Sequence, residues 1–473
     1  MDTKSHEPRA KSLLVLNVVG LTRELLSRFP QRAKNLITFG SDGSSCTLGT
    51  VFPAVTCTVQ STFLTGLMPR DHGVVANGWY FRELSEIHFW KQSNALVGGE
   101  KIWDAAQKRA GGDSFKSAQL FWWYNMYSAN AISVTPRPAH LADGSLISLT
   151  YTQPPELAPQ LDAELGRFPL FKFWGPDAGI GSSDWIARCT ESVQRRFAPG
   201  LTLVYLPHLD YNLQRIGPDD PRIGDDLAAI DAIVGKHTQT AQARGQDVVI
   251  LSEYGMSQTD GAVDINRVLR RAGYLKVQQQ ATWELLDCGA CRAFAVSDHQ
   301  AAHVYVKDPA DVAAVKALLE KTPGIERVLD AAGMLQFGID HPRSGELIAI
   351  SAADKWFTYY YWEDDAKCPP WAHEVDIHNK PGYDPVELFL DPKAPLVIPR
   401  ILWRLAKRKL GFRTTIMDFI PFDSALVKGS HGRLPDKPDA GPLLMLSRKG
   451  YPLPEHLPAT DVKPLLLKLL FGS

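Results

Sequence analysis

The stretch Val51–Tyr80, VFPAVTCTVQSTFLTGLMPRDHGVVANGWY, decides how the rest of the chain is read. It opens with a short apolar run and a proline, and Thr56 follows where a helix can begin. A Ser or Thr at a helix N-cap holds its hydroxyl beside free backbone N–H groups and the positive end of the helix dipole. The same surroundings favour a phosphate or a developing alkoxide. The spacing predicts a helix through Val59, Phe63 and Leu64 that stops at Gly66, a good C′ residue. Pro69, Asp71, His72 and Gly73 then make a turn, with His72 read as its structural cap, and Asn77-Gly78 makes a second turn. Taken alone, Thr56 reads as a plain helix cap.

Upstream, Leu13–Val19, LLVLNVV, reads as a fully buried parallel strand leading through Gly20 into a helix from Thr22. Downstream, Leu201–Leu206, LTLVYL, is a second such strand and ends in Pro207-His208-Leu209-Asp210. An amphipathic helix should follow from about Arg222 to Arg244. Gln246–Ser252, QDVVILS, is a third strand and ends in Glu253-Tyr254-Gly255. This alternation argues an α/β fold, a doubly wound, mostly parallel sheet with helices on both faces. Such sheets place their chemistry at the carboxyl ends of the strands. Thr56, Asp210 and Glu253 all fall there.

Residues 262–340 change character. AHVYV at 302–306, a helix near 310–321 and a Gly-Ile-Glu-Arg-Val strand predict a small α+β insertion. The chain then divides into a sheet domain (1–261), a cap (262–340) and the rest of the sheet domain (341–473). Trp122, Trp123, Tyr124 and Tyr127 lie within 119–138 and serve either as a bulky core layer or as a stacking wall for a base. Residues 152–178 are Pro-rich and read as irregular. A second aromatic band, WFTYYYW, spans 356–362. The basic amphipathic segment 399–413, PRILWRLAKRKLGFR, reads first as a helix packed on the sheet. The alternative is a peripheral contact with an anionic membrane surface.

Of the 473 residues, 45% are hydrophobic and 22% charged, and the formal net charge is −1. That is ordinary globular composition, and it gives no basic surface for nucleic acid. Residues 1–12 are polar, and the apolar run after them is too short for a signal peptide or a membrane span. The expectation is a cytoplasmic protein with no transmembrane segment. Six scattered cysteines agree, and Cys288-Gly-Ala-Cys291 lacks a second pair at zinc-binding spacing, so it reads as incidental core.

The patterns FP-x-x-T, TGL-x-P-x-x-HG and N-G within Val51–Tyr80 resemble the nucleophile segment of the type I phosphodiesterase/nucleotide pyrophosphatase family of the alkaline phosphatase superfamily. The resemblance implies that Thr56 attacks phosphorus and that Asn77 donates to a non-bridging phosphate oxygen. It also implies two divalent metals about 4 Å apart, which deprotonate the hydroxyl and neutralise the transition state. Position by position, the ligand set is altered. The family's first-strand Asp is Val19 here, with Asn17 two residues earlier on the same strand face. In D-x-x-x-H, Asp210 stays and the His is Gln214. In S-D-H-G, the Asp is Glu253 and the His is Tyr254. The last His, in x-H-G, is His431.

Asp210, Glu253 and His431 are therefore the candidate ligands, with Gln214 at a fourth ligand position. Two further clusters could restore coordination, Ser297–His303 with Asp298, His299 and His303, and Asp376-Ile377-His378. His378 is the first choice and His299 the second. Oxygen-rich coordination moves the preference from zinc toward manganese or magnesium. The reading is a metal-dependent hydrolase or transferase acting on a phosphodiester or nucleotide pyrophosphate, with a small phosphate ester or nucleotide as partner. The alternatives are a phosphomonoester, phosphonate or sulfate-ester hydrolase, and a phosphometabolite-binding protein that has lost its metals.

Overall fold

Leu13–Val18 (β1) is buried at every position, as an unbroken apolar run must be when both faces of its sheet are covered. The computed structural model describes residues 12–112, 114–141, 146–412 and 419–472. The strands that matter for the site follow in order: Ser44–Leu48 (β2), Ser117–Leu120 (β3), Ile132–Pro136 (β4), Thr150–Gln153 (β5), Leu201–Leu206 (β6) and Asp247–Leu251 (β7). Ala293–Asp298 (β8), Ala301–Val306 (β9), Ile325–Leu329 (β10) and Leu347–Ser351 (β11) come next, then Leu443–Leu446 (β12) and His456–Leu457 (β13). One nine-stranded sheet has the order β13-β2-β12-β7-β1-β6-β3-β4-β5. Its middle, β7-β1-β6-β3-β4, is parallel throughout. The strand β12 runs antiparallel to β7 and β2, and β5 runs antiparallel to β4. The predicted α/β, mostly parallel sheet is therefore present, with β6 and β7 flanking β1.

Five helices frame the argument: Thr56–Thr65 (α1), Ile180–Phe197 (α2), His208–Arg215 (α3), Ile223–Ala243 (α4) and Val397–Lys409 (α5). The end of α1 is as expected, with Gly66 in the left-handed region at φ +72°. Its start differs from the simple reading. Val55 is the N-cap, Thr56 is the first helical residue, and no side chain caps the helix. The Thr56 hydroxyl is thus not spent on capping. Residues 152–178 are also more regular than their prolines suggested. Leu157–Leu165 is helical because Pro159 falls in the first turn, where no intrahelical N–H bond is lost.

The smaller sheet has the order β8-β9-β11-β10, all antiparallel. Its last strand, β11, lies beyond residue 340, so this layer includes part of the stretch expected to return to the main sheet. Phe357, Tyr359, Tyr360, Tyr361 and Trp362 pack into its core. The second aromatic band is therefore core. The two layers are joined beside the site, where Gly432 stands at φ +119° and a Cβ there would lie 3.0 Å from the Gln300 backbone nitrogen. Gly432→Ala should cost more than about 1 kcal/mol, through backbone strain and a contact that backbone cannot relieve. Chemical denaturation of the two proteins checks this. Among the described residues, no helix is long and apolar enough to cross a membrane.

Candidate active site

Parallel pairing sets the carboxyl ends of β1, β6 and β7 side by side, and α1 begins against them. The Thr56 hydroxyl is buried and lies 3.2 Å from the Tyr254 hydroxyl. The Glu253 carboxyl is also within its hydrogen-bonding reach. The Tyr254 hydroxyl in turn donates to Asp210 Oδ1 at 3.1 Å. A continuous path, Thr56–Tyr254–Asp210, therefore joins the hydroxyl to a carboxylate. Tyr254 is held flat against His431, with ring centroids 3.6 Å apart and planes 8° from parallel.

The two carboxyl groups accept from neutral donors. Gln214 lies one turn beyond Asp210 on α3, and its Nε2 donates to Asp210 Oδ2 at 2.6 Å. The Gln214 oxygen accepts from the Tyr383 hydroxyl at 2.9 Å. Burial pushes the Asp210 carboxyl up to about 6, against the lowering effect of the Gln214 and Tyr254 bonds. Glu253 Oε1 accepts from Asn17 Nδ2 at 2.5 Å and from Gln60 Nε2 at 2.6 Å. Its other oxygen is buried without a partner. Burial pushes Glu253 up to about 8, so it is mostly protonated at neutral pH.

Asn77 is brought to the N-terminus of α1 by the turns after it. Its Oδ1 accepts from the Cys57 backbone N–H at 2.9 Å, and its Nδ2 donates to Asp298 Oδ1 at 3.1 Å. Asp298 also accepts from the Asn77 backbone N–H at 2.7 Å. Burial raises Asp298 to about 6. A primary amide has a second N–H, so Asn77 keeps one donor beyond the Asp298 bond.

Two of the four candidate histidines, His431 and His299, converge on the site. His431 Nδ1 faces the Ala54 carbonyl at 2.8 Å, which sets the proton on Nδ1 and leaves Nε2 as an acceptor, 3.9 Å from Asp210 Oδ1. His299 Nδ1 meets Asp298 Oδ1 at 2.6 Å, and its ring is stacked between Tyr383 at 3.6 Å and His431 at 3.8 Å. Burial holds both imidazoles well below the usual histidine range, so both are neutral. His303 bonds to backbone at both nitrogens, Val75 O at 3.1 Å and Gly345 N at 3.2 Å, and is structural. The first-choice ligand His378 is not brought to this cluster. It is exposed and sits near Phe89, Lys91 and His140, while its neighbour Ile377 reaches the cavity wall. His72 bonds Thr62 on α1 and the Val74 N–H just after its own turn.

A cavity of about 50 Å³ opens on these groups, lined by Thr56, Asp210, Tyr254, His299 and His431. Trp90, Trp123, Trp174, Tyr205, Tyr211 and Tyr383 line it as well. Trp123 thus serves as wall, whereas Trp122 belongs to the main core and Tyr127 is exposed. Gln60, Tyr383 and Trp174 also take part, outside the candidate ligand set. Gln60 lies one helical turn from Thr56 and carries a signal at that spacing. Tyr383 and Trp174 carry none, since both come from irregular segments.

The donor set does not fit a pair of divalent metals. Val19 offers no ligand atom, and burial holds the Tyr254 phenol protonated. Gln214 turns its N–H toward Asp210, where a cation would need an oxygen. Glu253 Oε1 is occupied by two amide donors, which leaves only Oε2 of that carboxyl. Among the described residues, no three His, Cys, Asp or Glu side chains converge on a common metal position. Around these carboxyl groups the side chains make a hydrogen-bonded network, not the paired ligand sets that the resemblance implied.

Comparison with known proteins agrees with the fold. Phosphonoacetate hydrolase from Sinorhizobium meliloti, solved with phosphonoformate, superposes with a TM-score of 0.63 at 13% identity, covering 99% of this chain and 98% of that one. Murine ectonucleotide pyrophosphatase/phosphodiesterase 5 gives 0.57 at 13% identity over 97% and 95%. At such identities the likeness is one of fold. An uncharacterized pyrophosphatase/phosphodiesterase of Schizosaccharomyces pombe is 24% identical over 220 residues, 44% of this chain; the match spans only 37% of that relative's length. The model of the type I phosphodiesterase/nucleotide pyrophosphatase family matches residues 13–384, and the chain belongs to that family of hydrolases.

Proposed function

We propose that this hydrolase cleaves a small phosphodiester carrying a flat, apolar leaving group, with Thr56 attacking phosphorus. The observation that carries this reading is the Thr56 hydroxyl itself. It is free of capping duty, faces the cavity, and connects through Tyr254 to Asp210. As Thr56 attacks, its proton passes to Tyr254 while the Tyr254 proton passes to Asp210, so the phenol stays neutral. The P–O bond to the aryl group breaks and the aryl oxide leaves. Water then displaces Thr56 from phosphorus as the threonine oxygen takes its proton back through Tyr254. The N-terminus of α1 and the remaining Asn77 N–H favour the charge on the phosphoryl oxygens. Protonated Glu253 spares the incoming anion a second buried charge. The aromatic wall suits a ring stacked beside the phosphate. An inactive variant of the murine relative was solved in complex with AMP, a ligand of that chemistry. With no cation in the donor set to neutralise a leaving alkoxide, aryl esters should react far better than alkyl esters.

Two measurements test this. First, aryl phosphodiester turnover should survive a chelator. Second, kcat/KM should rise with pH through about 6, as Asp210 becomes the anionic base, and fall through about 8, as Glu253 ionises beside the phosphate. Loss of all turnover in chelator, restored by zinc or manganese, would sink the relay. A second reading is favoured by the neutral donors around Asp210 and Glu253, namely a phosphometabolite-binding protein. No turnover of monoesters, diesters or nucleotides, together with calorimetric binding of an aryl phosphate, would select it.

A further inference from the structure

The helix α5 turns its apolar side to solvent. Arg400 and Arg404, one turn apart, lie over the buried Phe419 ring at 4.6 and 4.8 Å. On the other side, Ile398, Leu402 and Leu405 form a stripe at i, i+4 and i+7, and they are 59%, 60% and 45% exposed. Trp403 and Leu410 extend the apolar surface at 62% and 74% exposed. Leu396 and Phe412 at its two ends are exposed as well. None of these side chains joins a hydrophobic core. The packing on the sheet that the sequence suggested does not occur. Scattered exposed apolar residues are ordinary, but a continuous apolar helix face is a binding surface.

Charge decides what covers it. Residues 396–412, LVIPRILWRLAKRKLGF, carry five Lys or Arg and no Asp or Glu. Because Arg400 and Arg404 face Phe419, a second copy of the chain docked on this face would set Lys407 and Lys409 against the same two cations of the copy. An anionic lipid surface supplies both an apolar layer and the opposite charge. Lys407 lies over the Trp403 ring at 5.4 Å, so a cation and an indole stand together at one edge of the apolar face. Lys and Trp are the residues that settle at the headgroup boundary. We propose that α5 lies in the surface of an anionic bilayer, with Ile398, Leu402 and Leu405 among the acyl chains and Lys407 and Lys409 at the headgroups. This stands independently of the role of Thr56.

The test is sedimentation of the intact protein with lipid vesicles at low salt. It should pellet with vesicles of phosphatidylcholine and phosphatidylglycerol, stay in solution with phosphatidylcholine alone, and be released as salt is raised. Leu402→Ser/Leu405→Ser and Lys407→Glu/Lys409→Glu should each weaken partitioning roughly tenfold or more. Their thermal melting should match the wild type, since neither pair is buried. No pelleting with anionic vesicles, or equal pelleting of all three proteins, overturns the proposal. So does concentration-dependent dimerisation in ultracentrifugation that Leu402→Ser/Leu405→Ser abolishes, which would assign the face to a second copy.

Discussion

Thr56→Ala should lower aryl phosphodiester turnover by about a hundredfold or more, with little change in stability. The reasoning separates two jobs that one threonine could hold. A capping threonine lost to alanine typically costs about 1 kcal/mol and weakens the helix. Thr56 does not hold that job, because Val55 is the N-cap and no side chain caps α1. Alanine also fits the first turn of a helix without strain. The change therefore deletes one buried hydroxyl that touches Tyr254, and leaves Asp210, Glu253, Gln214 and Asn77 in their hydrogen bonds. The melting temperature should stay within about 3 °C of the wild type, given the small shift per kcal/mol in a chain of this size. Single-turnover kinetics and a melting curve on the same preparation check both halves. Wild-type turnover in the alanine variant would mean that the hydroxyl only fills space.

Much of this site was legible in the sequence because buried parallel strands write themselves as continuous apolar runs. LLVLNV, LTLVYL and DVVIL each gave their position away, and with them the sheet edge where Thr56, Asp210 and Glu253 meet. Side-chain direction was legible only where a regular period fixed it. Asp376-Ile377-His378 lies in an irregular stretch, and the structure turns Ile377 rather than His378 to the cavity. The periodicity of α5 showed two unlike faces but not which one lies inward, and the contacts of Arg400 and Arg404 with Phe419 settled that. Leu347–Ser351 lies in the stretch expected to belong to the main sheet. Its pairing with β9 and β10 was not readable, since pairing depends on where the chain returns and not on the strand's composition. The missing metal ligands were visible as Val19, Gln214 and Tyr254. What took their place required coordinates, because Asn17, Gln60 and Tyr383 come from three separate elements.

Asp210→Asn should be as damaging as the loss of Thr56, and its pH behaviour should set it apart. Asparagine keeps the size of the side chain and can still accept from Gln214 or Tyr254 through its one oxygen. It cannot take up a proton at any pH near neutral. If Asp210 is the terminus of the relay, turnover should fall by about a hundredfold or more, as expected when a positioned general base is removed. The residual activity should no longer rise through pH 6, because the group that titrates at about 6 in this position is gone. It should still fall through about 8, since Glu253 remains. Removing one buried carboxyl also relieves its repulsion of Glu253, so the upper limb should move slightly to lower pH. Tyr254→Phe separates a relay from a direct role for Asp210. It deletes the hydroxyl that bridges Thr56 and Asp210 while keeping the ring stacked on His431. In the relay, both variants share the loss of the acidic limb. An Asp210→Asn enzyme whose activity still climbs through pH 6 would assign that limb to another group, and Asp298, also raised to about 6 beside Asn77, would be the one to examine next.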